Sequence, residues 1–194
     1  YEMVKLTSGI LGDIVEAGVY YGSGLMGWAN IVASMEPYNY QCQIIGFDTF
    51  TGSKGVSRKD QIFNKIKRRD GEYKANSFED LKKSIEIFDE DRPLSHLDKV
   101  KLIKGDIIKT SKNYVKQNPA QTIRILHIGM NFYKPTLYTL KNFLPRMSKG
   151  SIVAIDGLNY ATGGRMSALK EVVKLQNCEL KNFDFYPNFT YFKI

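Results

Sequence analysis

Glycines cluster directly after the first apolar run of this chain, in the sequence EAGVYYGSG from Glu16 to Gly24. Glycine is unfavourable inside regular structure, so the cluster indicates either a sharp strand-to-helix turn or a ligand that lies against bare backbone. The spacing is G-x-x-x-G-x-G, which differs from the G-x-G-x-x-G of dinucleotide sites. It therefore argues against a ligand whose pyrophosphate must lie at the helix N-terminus.

Acidic residues end the next two apolar runs, Asp48 in FDTFTG and Asp106 in KGD. The carboxyl ends of parallel strands meet at one edge of a sheet, where a carboxylate can accept hydrogen bonds from both hydroxyls of a ribose. A glycine turn beside such a carboxylate suits a ligand that has a ribose and no phosphates, such as S-adenosylmethionine. We therefore predict a cofactor site formed by Glu16, Gly18, Tyr20, Gly22, Ser23, Gly24, Asp48, Thr49, Phe50, Asp106 and Ile107.

Each part of this predicted site has an expected task. The three glycines of the turn form a floor beneath the methionine and ribose portions of the ligand, and Glu16 supports the turn. Asp48 holds the ribose hydroxyls, while Asp106 and its neighbours border the adenine. For each glycine taken alone, a plain turn is the alternative.

Five apolar runs suited to buried parallel strands alternate with helical patterns along the chain. They span Gly12–Gly18, Cys42–Asp48, Lys99–Asp106, Ile123–Met130 and Gly150–Gly157. Two β-rich runs close the chain, and the Pro187-Asn188 pair between them is too short for a parallel crossover. The pattern predicts an α/β fold, a Rossmann-like doubly wound, mostly parallel sheet with a C-terminal antiparallel hairpin.

Polar residues predict where two of the helices begin. Ser23 is the expected N-cap of the helix in SGLMGWANIVASM, which Pro37 ends. Ser77 and Asp80 resemble a capping box at the start of SFEDLKKSIEIF.

The composition suits one domain over residues 1–194. No stretch is long enough to span a bilayer and the N-terminus lacks the apolar block of a signal peptide, so we expect no membrane partner and a cytoplasmic location. Cys42 and Cys178 lie at the edges of strand-like runs. One disulfide is an alternative, but two reduced thiols, as in a cytosolic protein, are favoured. Cysteines and histidines are too few for a zinc site.

The net charge of +8 is unevenly distributed, because the segment from Lys54 to Lys74 has eight Lys/Arg against three acidic residues. Such a segment is either a surface for an anionic partner or a solvated loop and helix without a partner. Its length and glycines also fit a lid over a substrate, so we predict a basic lid-like insertion at about 51–75. A positively charged lid favours an acidic or phosphate-bearing acceptor, such as a nucleotide-sugar.

Four segments together resemble the macrocin O-methyltransferase (TylF-type) family of class I methyltransferases. They are GDIVEAGVYYGSGLMGWA, IIGFDTFTG, LHIGMNFYKPTLYTLKNFLPRMSKGSIVAID and SALKEV, which cover nearly the whole chain from Gly12 to Val173. The resemblance implies a single methyltransferase-like domain, S-adenosylmethionine as the methyl donor and a sugar hydroxyl as the acceptor. It also implies a magnesium ion that three aspartates hold against vicinal hydroxyls of the sugar.

The chain departs from that family at the positions of the metal ligands. The family has Asp-x-Asp-Leu-Tyr at the end of the fourth strand, where residues 129–133 are GMNFY. The first aspartate, a metal ligand, becomes Gly129, and the second, a candidate general base, becomes Asn131. The fifth strand ends in Asp156-Gly157 instead of two aspartates. One carboxylate is a poor magnesium site, so we predict no metal ligands and no tightly bound divalent ion.

Three residues are the candidates for catalysis: Asp156, His127 and Asn131. Asp156 is an acid or base at the end of the fifth strand, with a role as a helix or loop cap as the alternative. His127 is a candidate base or a structural histidine, and Asn131 stands at the position of the family's base. Four tyrosines near strand ends are candidates either for a sugar pocket or for aromatic packing: Tyr20, Tyr21, Tyr133 and Tyr160.

The leading hypothesis is an S-adenosylmethionine-dependent O-methyltransferase that acts on a sugar or small hydroxylated metabolite, with a saccharide or nucleotide-sugar as the acceptor. The alternative is a catalytically degenerate S-adenosylmethionine-binding module that has lost the metal site, and only methyl transfer distinguishes the two. A nucleic-acid partner is not expected, because the chain lacks the Asn/Asp-Pro-Pro-Tyr/Phe motif and an appended recognition domain. Assembly into a homo-oligomer is left open.

Overall fold

The computed structural model describes residues 1–61, 67–159 and 163–194. Within these residues seven strands form one sheet: β1 Asp13–Ala17, β2 Ile44–Asp48, β3 Val100–Lys104, β4 Ile123–Ile128, β5 Met147–Asp156, β6 Lys181–Phe183 and β7 Tyr186–Lys193. Their order across the sheet is β3-β2-β1-β4-β5-β7-β6. Strands β1 to β5 are parallel, and β7 lies antiparallel between β5 and β6.

Helices cover both faces of this sheet: α1 Glu2–Leu6, α2 Ser23–Met35, α3 Phe78–Asp91, α4 Ile107–Gln117, α5 Tyr133–Phe143 and α6 Gly164–Val172. Residues of α1, α2 and α3 pack into one core layer, which includes Trp28, and residues of α4, α5 and α6 pack into the other, which includes Phe143. The predicted doubly wound α/β fold with a C-terminal antiparallel hairpin is confirmed. None of the described helices combines the length and apolar character needed to cross a bilayer.

The C-terminal hairpin turns earlier than the sequence predicts. Asp184 and Phe185 form the turn, and β7 continues through the Pro187-Asn188 pair that was expected to separate the strands. Proline has no N–H to give to a neighbouring strand, and the β6–β7 register shifts just beyond the turn, which accommodates it. The Asn182 side chain also donates to the Pro187 carbonyl across the hairpin.

The two predicted serine caps are wrong in detail. Helix α2 begins at Ser23, and Gly22 is its N-cap with a φ of 86°, a left-handed conformation that suits glycine. Ser77 is the N-cap of α3, but its hydroxyl donates to the Tyr20 carbonyl instead of capping the helix. A capping box does form elsewhere, between Ser57 and Asp60 at the start of a 3-10 helix.

The amino-terminal edge of the sheet contains a buried ion pair beside a thiol. Arg124 is 1% exposed and donates to both carboxylate oxygens of Glu36, at 2.7 and 2.8 Å. Its guanidinium also lies 3.4 Å from the Cys42 sulfur, and burial raises the pKa of that thiol. Cys42 and Cys178 are both free, which confirms the prediction of two reduced thiols.

Candidate functional site

A cavity of about 440 Å³ opens at the carboxyl ends of the parallel strands. It lies where strand order reverses between β1 and β4, the position at which doubly wound sheets bind ligands. Its lining comes from the ends of β1, β2, β4 and β5 and from the segments that follow β1 to β4, so residues far apart in sequence meet there.

Asp48 is held rigidly at one side of this cavity. The backbone N–H of Tyr20 donates to one of its carboxylate oxygens at 2.9 Å, and the N–H of Phe50 donates to the other at 2.8 Å. Tyr20 and Phe50 have φ values of 55° and 57°, which non-glycine residues rarely adopt. Two strained residues thus orient one carboxylate, and strain of this kind is concentrated at ligand sites. Each oxygen keeps a further lone pair for a ligand hydroxyl.

Glu16 and Gly24 fit together at the floor of the cavity. Glu16 is 2% exposed, and a Cβ atom at position 24 would lie 2.7 Å from its Oε1. A larger residue at position 24 would have to displace this carboxylate, which packs directly against the first turn of α2. The His127 ring lies beside it, with its Nδ1 atom 3.4 Å from Oε2 of Glu16.

The other two glycines of the turn serve the fold. Gly18 has a φ of 95°, and a Cβ atom there would lie 3.0 Å from the side chain and backbone of Met130. Gly22 has a φ of 86°, and its Cβ would lie 2.0 Å from a methyl group of Leu81. The sequence offered two reasons for these glycines, a sharp turn and a ligand that lies against bare backbone. The glycine positions fit both, because Gly18 and Gly24 also line the cavity while Gly22 does not.

Asp106 begins the third wall of the cavity as the N-cap of α4. Its carboxylate accepts from the N–H of Ile108 at 3.0 Å, and the Gly105 N–H donates to the Asp48 carbonyl at 2.8 Å. Asp106 and the largely buried Ile107 both line the cavity. A carboxylate and an apolar side chain therefore border its far end.

The ends of β4 and β5 contribute Asn131 and Asp156 to the cavity. Behind them lies Arg165, 5% exposed, whose Nη1 donates to the Asn131 Oδ1 at 2.9 Å. Gly157 has a φ of 53°, and a Cβ atom there would lie 2.9 Å from Nη2 of Arg165. A guanidinium thus lies close to both Asn131 and Gly157, two positions at which the chain departs from the family it resembles. In the described part of the chain, no three His, Cys, Asp or Glu residues group to hold a metal.

Part of the basic segment covers the cavity. Ser53, Lys54 and Tyr73 line it, and backbone hydrogen bonds of 2.7 Å join Ser53 to Glu72 and to Gly71. Residues 62–66 of the predicted lid lie outside the described residues.

Asp60 fastens this segment to the body of the domain. Asp60 is 1% exposed, and its Oδ1 accepts from the Tyr133 N–H at 2.7 Å at the start of α5. A Cβ atom at Gly164, in the first turn of α6, would lie 2.1 Å from the same oxygen. One buried carboxylate therefore lies against the N-terminal ends of two helices, whose dipoles favour a negative charge.

Comparison with known proteins decides the family. A family model described as a methyltransferase domain matches residues 15–157, which contain every described residue that lines the cavity. The chain belongs to this methyltransferase family. Among curated proteins, none matches the sequence significantly.

Three solved structures are similar to this methyltransferase over 99% of its length. A structure of CalS11, a calicheamicin methyltransferase, is 28% identical with a TM-score of 0.92 and 76% of that chain covered. An apo structure of CalS11, a TDP-rhamnose 3'-O-methyltransferase, is 27% identical with a TM-score of 0.83 and 75% covered. The O-methyltransferase NovP is 20% identical, with a TM-score of 0.77 and 77% covered, and it supports the fold alone.

Most of the predicted site residues of the methyltransferase meet at the cavity. Those that line it are Glu16, Gly18, Tyr20, Ser23, Gly24, Asp48, Thr49, Asp106, Ile107, His127, Asn131 and Asp156. Two predicted cofactor residues do not: Gly22 packs against Leu81, and Phe50 is 2% exposed with its ring against Phe78.

The four candidate tyrosines have different positions. Tyr20 lines the cavity. Tyr133 lies on the surface, where its hydroxyl donates to Glu171 and the Lys59 ammonium lies 3.9 Å from its ring centroid. Tyr21 packs edge-on against Tyr20 and is 63% exposed, and Tyr160 lies outside the described residues. Of the three candidate tyrosines that the structure describes, Tyr20 alone lines the cavity.

Sequence reasoning missed several residues that build the site. Met130 and Pro135 line it, and neither residue type signals chemistry by itself. Arg165 was also missed. The available signal was the GGR sequence at the start of α6, since a glycine turn there can bring an arginine close to a strand end. Its role depends on how helix α6 packs, which a local pattern does not contain.

Proposed function

We propose that this methyltransferase transfers a methyl group from S-adenosylmethionine to a hydroxyl of a sugar or small hydroxylated metabolite. The observation that carries the proposal is the Asp48 carboxylate, which two backbone N–H groups hold at the end of β2 with lone pairs left for two hydroxyls. The similarity to CalS11 supports the TylF-type resemblance and oxygen as the accepting atom.

The charges of the cavity suit this donor. Its described walls contain four carboxylates, from Glu16, Asp48, Asp106 and Asp156, and Lys54 is the only lysine or arginine among them. S-adenosylmethionine supplies an electrophilic methyl group on a positively charged sulfonium. An acidic wall attracts that cation and the donor's ammonium group. Gly18 and Gly24 expose backbone beside Glu16 and form the floor of the donor site, and Asp48 holds the ribose.

The acceptor hydroxyl must lose its proton as its oxygen bonds to the methyl carbon and the carbon–sulfur bond breaks. Asp156 and His127 line the cavity at the ends of β5 and β4, and we assign them as the candidates to take that proton. Asn131 is excluded as a base, because an amide does not accept a proton at neutral pH and its oxygen already accepts from Arg165. The enzyme therefore works chiefly by aligning donor and hydroxyl and by removing one proton.

The basic lid of this single domain favours a phosphate-bearing acceptor. Lys54 reaches the cavity wall from the segment 51–75, where a cation can pair with a diphosphate. CalS11 is described as acting on TDP-rhamnose, a sugar on a nucleoside diphosphate. We propose the same chemical class of acceptor for this chain.

Transfer of a labelled methyl group from S-adenosylmethionine tests the proposal. We expect label in TDP-rhamnose, less in free rhamnose and none in total RNA. Calorimetry with S-adenosylhomocysteine, run in parallel, checks the donor site alone. Donor binding without transfer to any hydroxyl compound would favour the degenerate binding module, and absence of donor binding would overturn the cofactor assignment.

A further inference from the structure

Arg165 links the two strand ends at which the resemblance implies metal ligands. It donates to Asn131 after β4 and lies against Gly157 after β5. We propose that the Arg165 guanidinium replaces a divalent cation at this edge of the sheet: it prevents cation binding and fixes the Asn131 amide as a hydrogen-bond donor to the acceptor oxygen. The first part joins the resemblance to the observed contacts of Arg165, and the second rests on the proposed function.

The hydrogen bond between Arg165 and Asn131 sets the direction of the amide. A guanidinium has only donors, so the atom of Asn131 at 2.9 Å from Nη1 must be the carbonyl oxygen. The amide NH₂ group is therefore turned away from Arg165. Asn131 lines the cavity, and among the described residues its NH₂ group donates to no protein acceptor. The side chain accordingly presents a donor to a ligand.

Gly157 shows that the guanidinium occupies the place of a side chain. A Cβ atom at this position would lie 2.9 Å from Nη2 and 3.3 Å from Cζ of Arg165. A carboxylate introduced here would pair with Arg165 before it could bind a metal. The charge of Arg165 would also repel a divalent cation, because arginine stays protonated at every accessible pH.

The arrangement retains a positive charge near the reaction while it removes the metal. Negative charge develops on the acceptor oxygen as its proton leaves, and a preorganised donor is most effective against such charge. Arg165 polarises the Asn131 amide through the hydrogen bond to Oδ1, which strengthens the NH₂ donor. Because it is 5% exposed and acts through Asn131, Arg165 is a positioning residue.

Titration with Mn²⁺ as the probe, followed by electron paramagnetic resonance, tests the exclusion of cations without any acceptor. We compare the wild-type protein, the double variant G129D/G157D, and the triple variant G129D/G157D/R165M, with circular dichroism and melting temperature to check folding. We expect no tight site in the wild type or the double variant, and a site in the triple variant. R165M alone is the control, since it removes the guanidinium without adding ligands.

Tight Mn²⁺ binding by the wild type would overturn the proposal and needs no variant. Equal binding by the double and triple variants would show that Arg165 does not exclude the cation. A folded triple variant without a site would show that the guanidinium does not occupy a cation position. None of these outcomes depends on methyl transfer, so they are separable from failure of the proposed function.

Steady-state kinetics tests the effect on Asn131. We expect R165M to lower kcat by roughly tenfold or more, toward the loss that follows removal of an oxyanion donor, while KM for S-adenosylmethionine is unchanged. R165K should retain part of the activity, because it keeps the charge without the fixed fork geometry. K170M, on the same helix, is the matched control and should be neutral. Equal losses of kcat and donor affinity in R165M would indicate a structural role and overturn this part.

Discussion

The cavity has two halves that present charge in different ways. One half, at the ends of β1, β2 and β3, is the donor half of the proposed function, and backbone N–H groups of the adjoining turns orient its carboxylates, as at Asp48. The other half, at the ends of β4 and β5, is the acceptor half of the proposed function, and it combines Asp156 with the Asn131 amide, whose oxygen accepts from Arg165 of helix α6. Local backbone geometry builds the first half and tertiary packing builds the second.

The strongest test of this division is the removal of the proton acceptor. We predict that Asp156→Asn or His127→Gln, whichever removes the general base, lowers kcat by about 10²–10⁴-fold. Both side chains belong to the wall of the cavity. Stopped-time assays with labelled donor and TDP-rhamnose measure kcat.

Donor affinity is the matched readout for these two variants. It should change little in Asp156→Asn, because Asp156 belongs to the acceptor half. If both variants keep full kcat, neither residue is the base and the assignment of the acceptor half is wrong.

A substitution in the donor half should change the affinity for the donor. We predict that Asp48→Ala weakens binding of S-adenosylhomocysteine by about 1–3 kcal/mol, roughly 5- to 150-fold, as expected when a charged acceptor of hydrogen bonds is lost. Calorimetry measures the affinity. Asp106→Ala is the comparison: it removes the N-cap of α4, which costs about 1 kcal/mol of stability. Unchanged affinity in Asp48→Ala would remove the ribose assignment.

Alanine substitutions at two glycines of helix α2 separate the effect of close packing on stability from the effect of helix propensity. A Cβ at Gly24 would lie 2.7 Å from Glu16, whereas nothing lies within 4 Å of a Cβ at Gly27. Gly24→Ala should destabilise the fold by about 1–3 kcal/mol through overpacking. Gly27→Ala should stabilise it by about 0.5–1 kcal/mol, since alanine favours a helix interior. Thermal unfolding compares them, and equal effects would contradict the close fit of Glu16.

The smallest effect concerns the contacts of Glu171 with Lys59 of the basic segment and with Tyr133 of α5. Hydrogen bonds, first from Tyr133 and then from Lys141, lower the pKa of the exposed Glu171 carboxyl to about 2. Because the pKa of Glu171 is lowered in the folded protein, its contacts stabilise the fold fully above pH 4.5, the ordinary pKa of the group. This stabilisation is lost as the pH falls toward about 2. The Tyr133 resonances should therefore be unchanged between pH 7 and pH 5 and shift only in stronger acid. A shift centred at the ordinary value would contradict the contact, and Glu171→Gln should abolish the pH dependence.

The orientation of Asp48 can be anticipated from the sequence, whereas the surroundings of Asn131 cannot, and the reason is physical. Asp48 is bound by N–H groups of the turns that follow β1 and β2, and a glycine cluster with an acidic strand end indicates that arrangement. Ser23 and Ser77 were assigned wrongly as side-chain caps, because the left-handed Gly22 and the distant Tyr20 carbonyl changed their partners. Such choices depend on contacts between segments.

The acceptor half shows where sequence reasoning ends. The replacement of carboxylates at Gly129 and Gly157 is visible in the sequence, but the residue that fills the space is not. Arg165 reaches Asn131 across 34 residues and is positioned by the packing of α6. Asp60 similarly lies in a basic segment and yet is buried against two helix ends.

The rate of methyl transfer in the presence of a chelator tests the central claim most directly. Labelled S-adenosylmethionine and TDP-rhamnose are incubated with the protein in excess EDTA and, in parallel, in millimolar Mg²⁺. An acceptor half built on Asn131 and Arg165 predicts transfer at the same rate in both. Transfer that EDTA abolishes and Mg²⁺ restores would contradict the account.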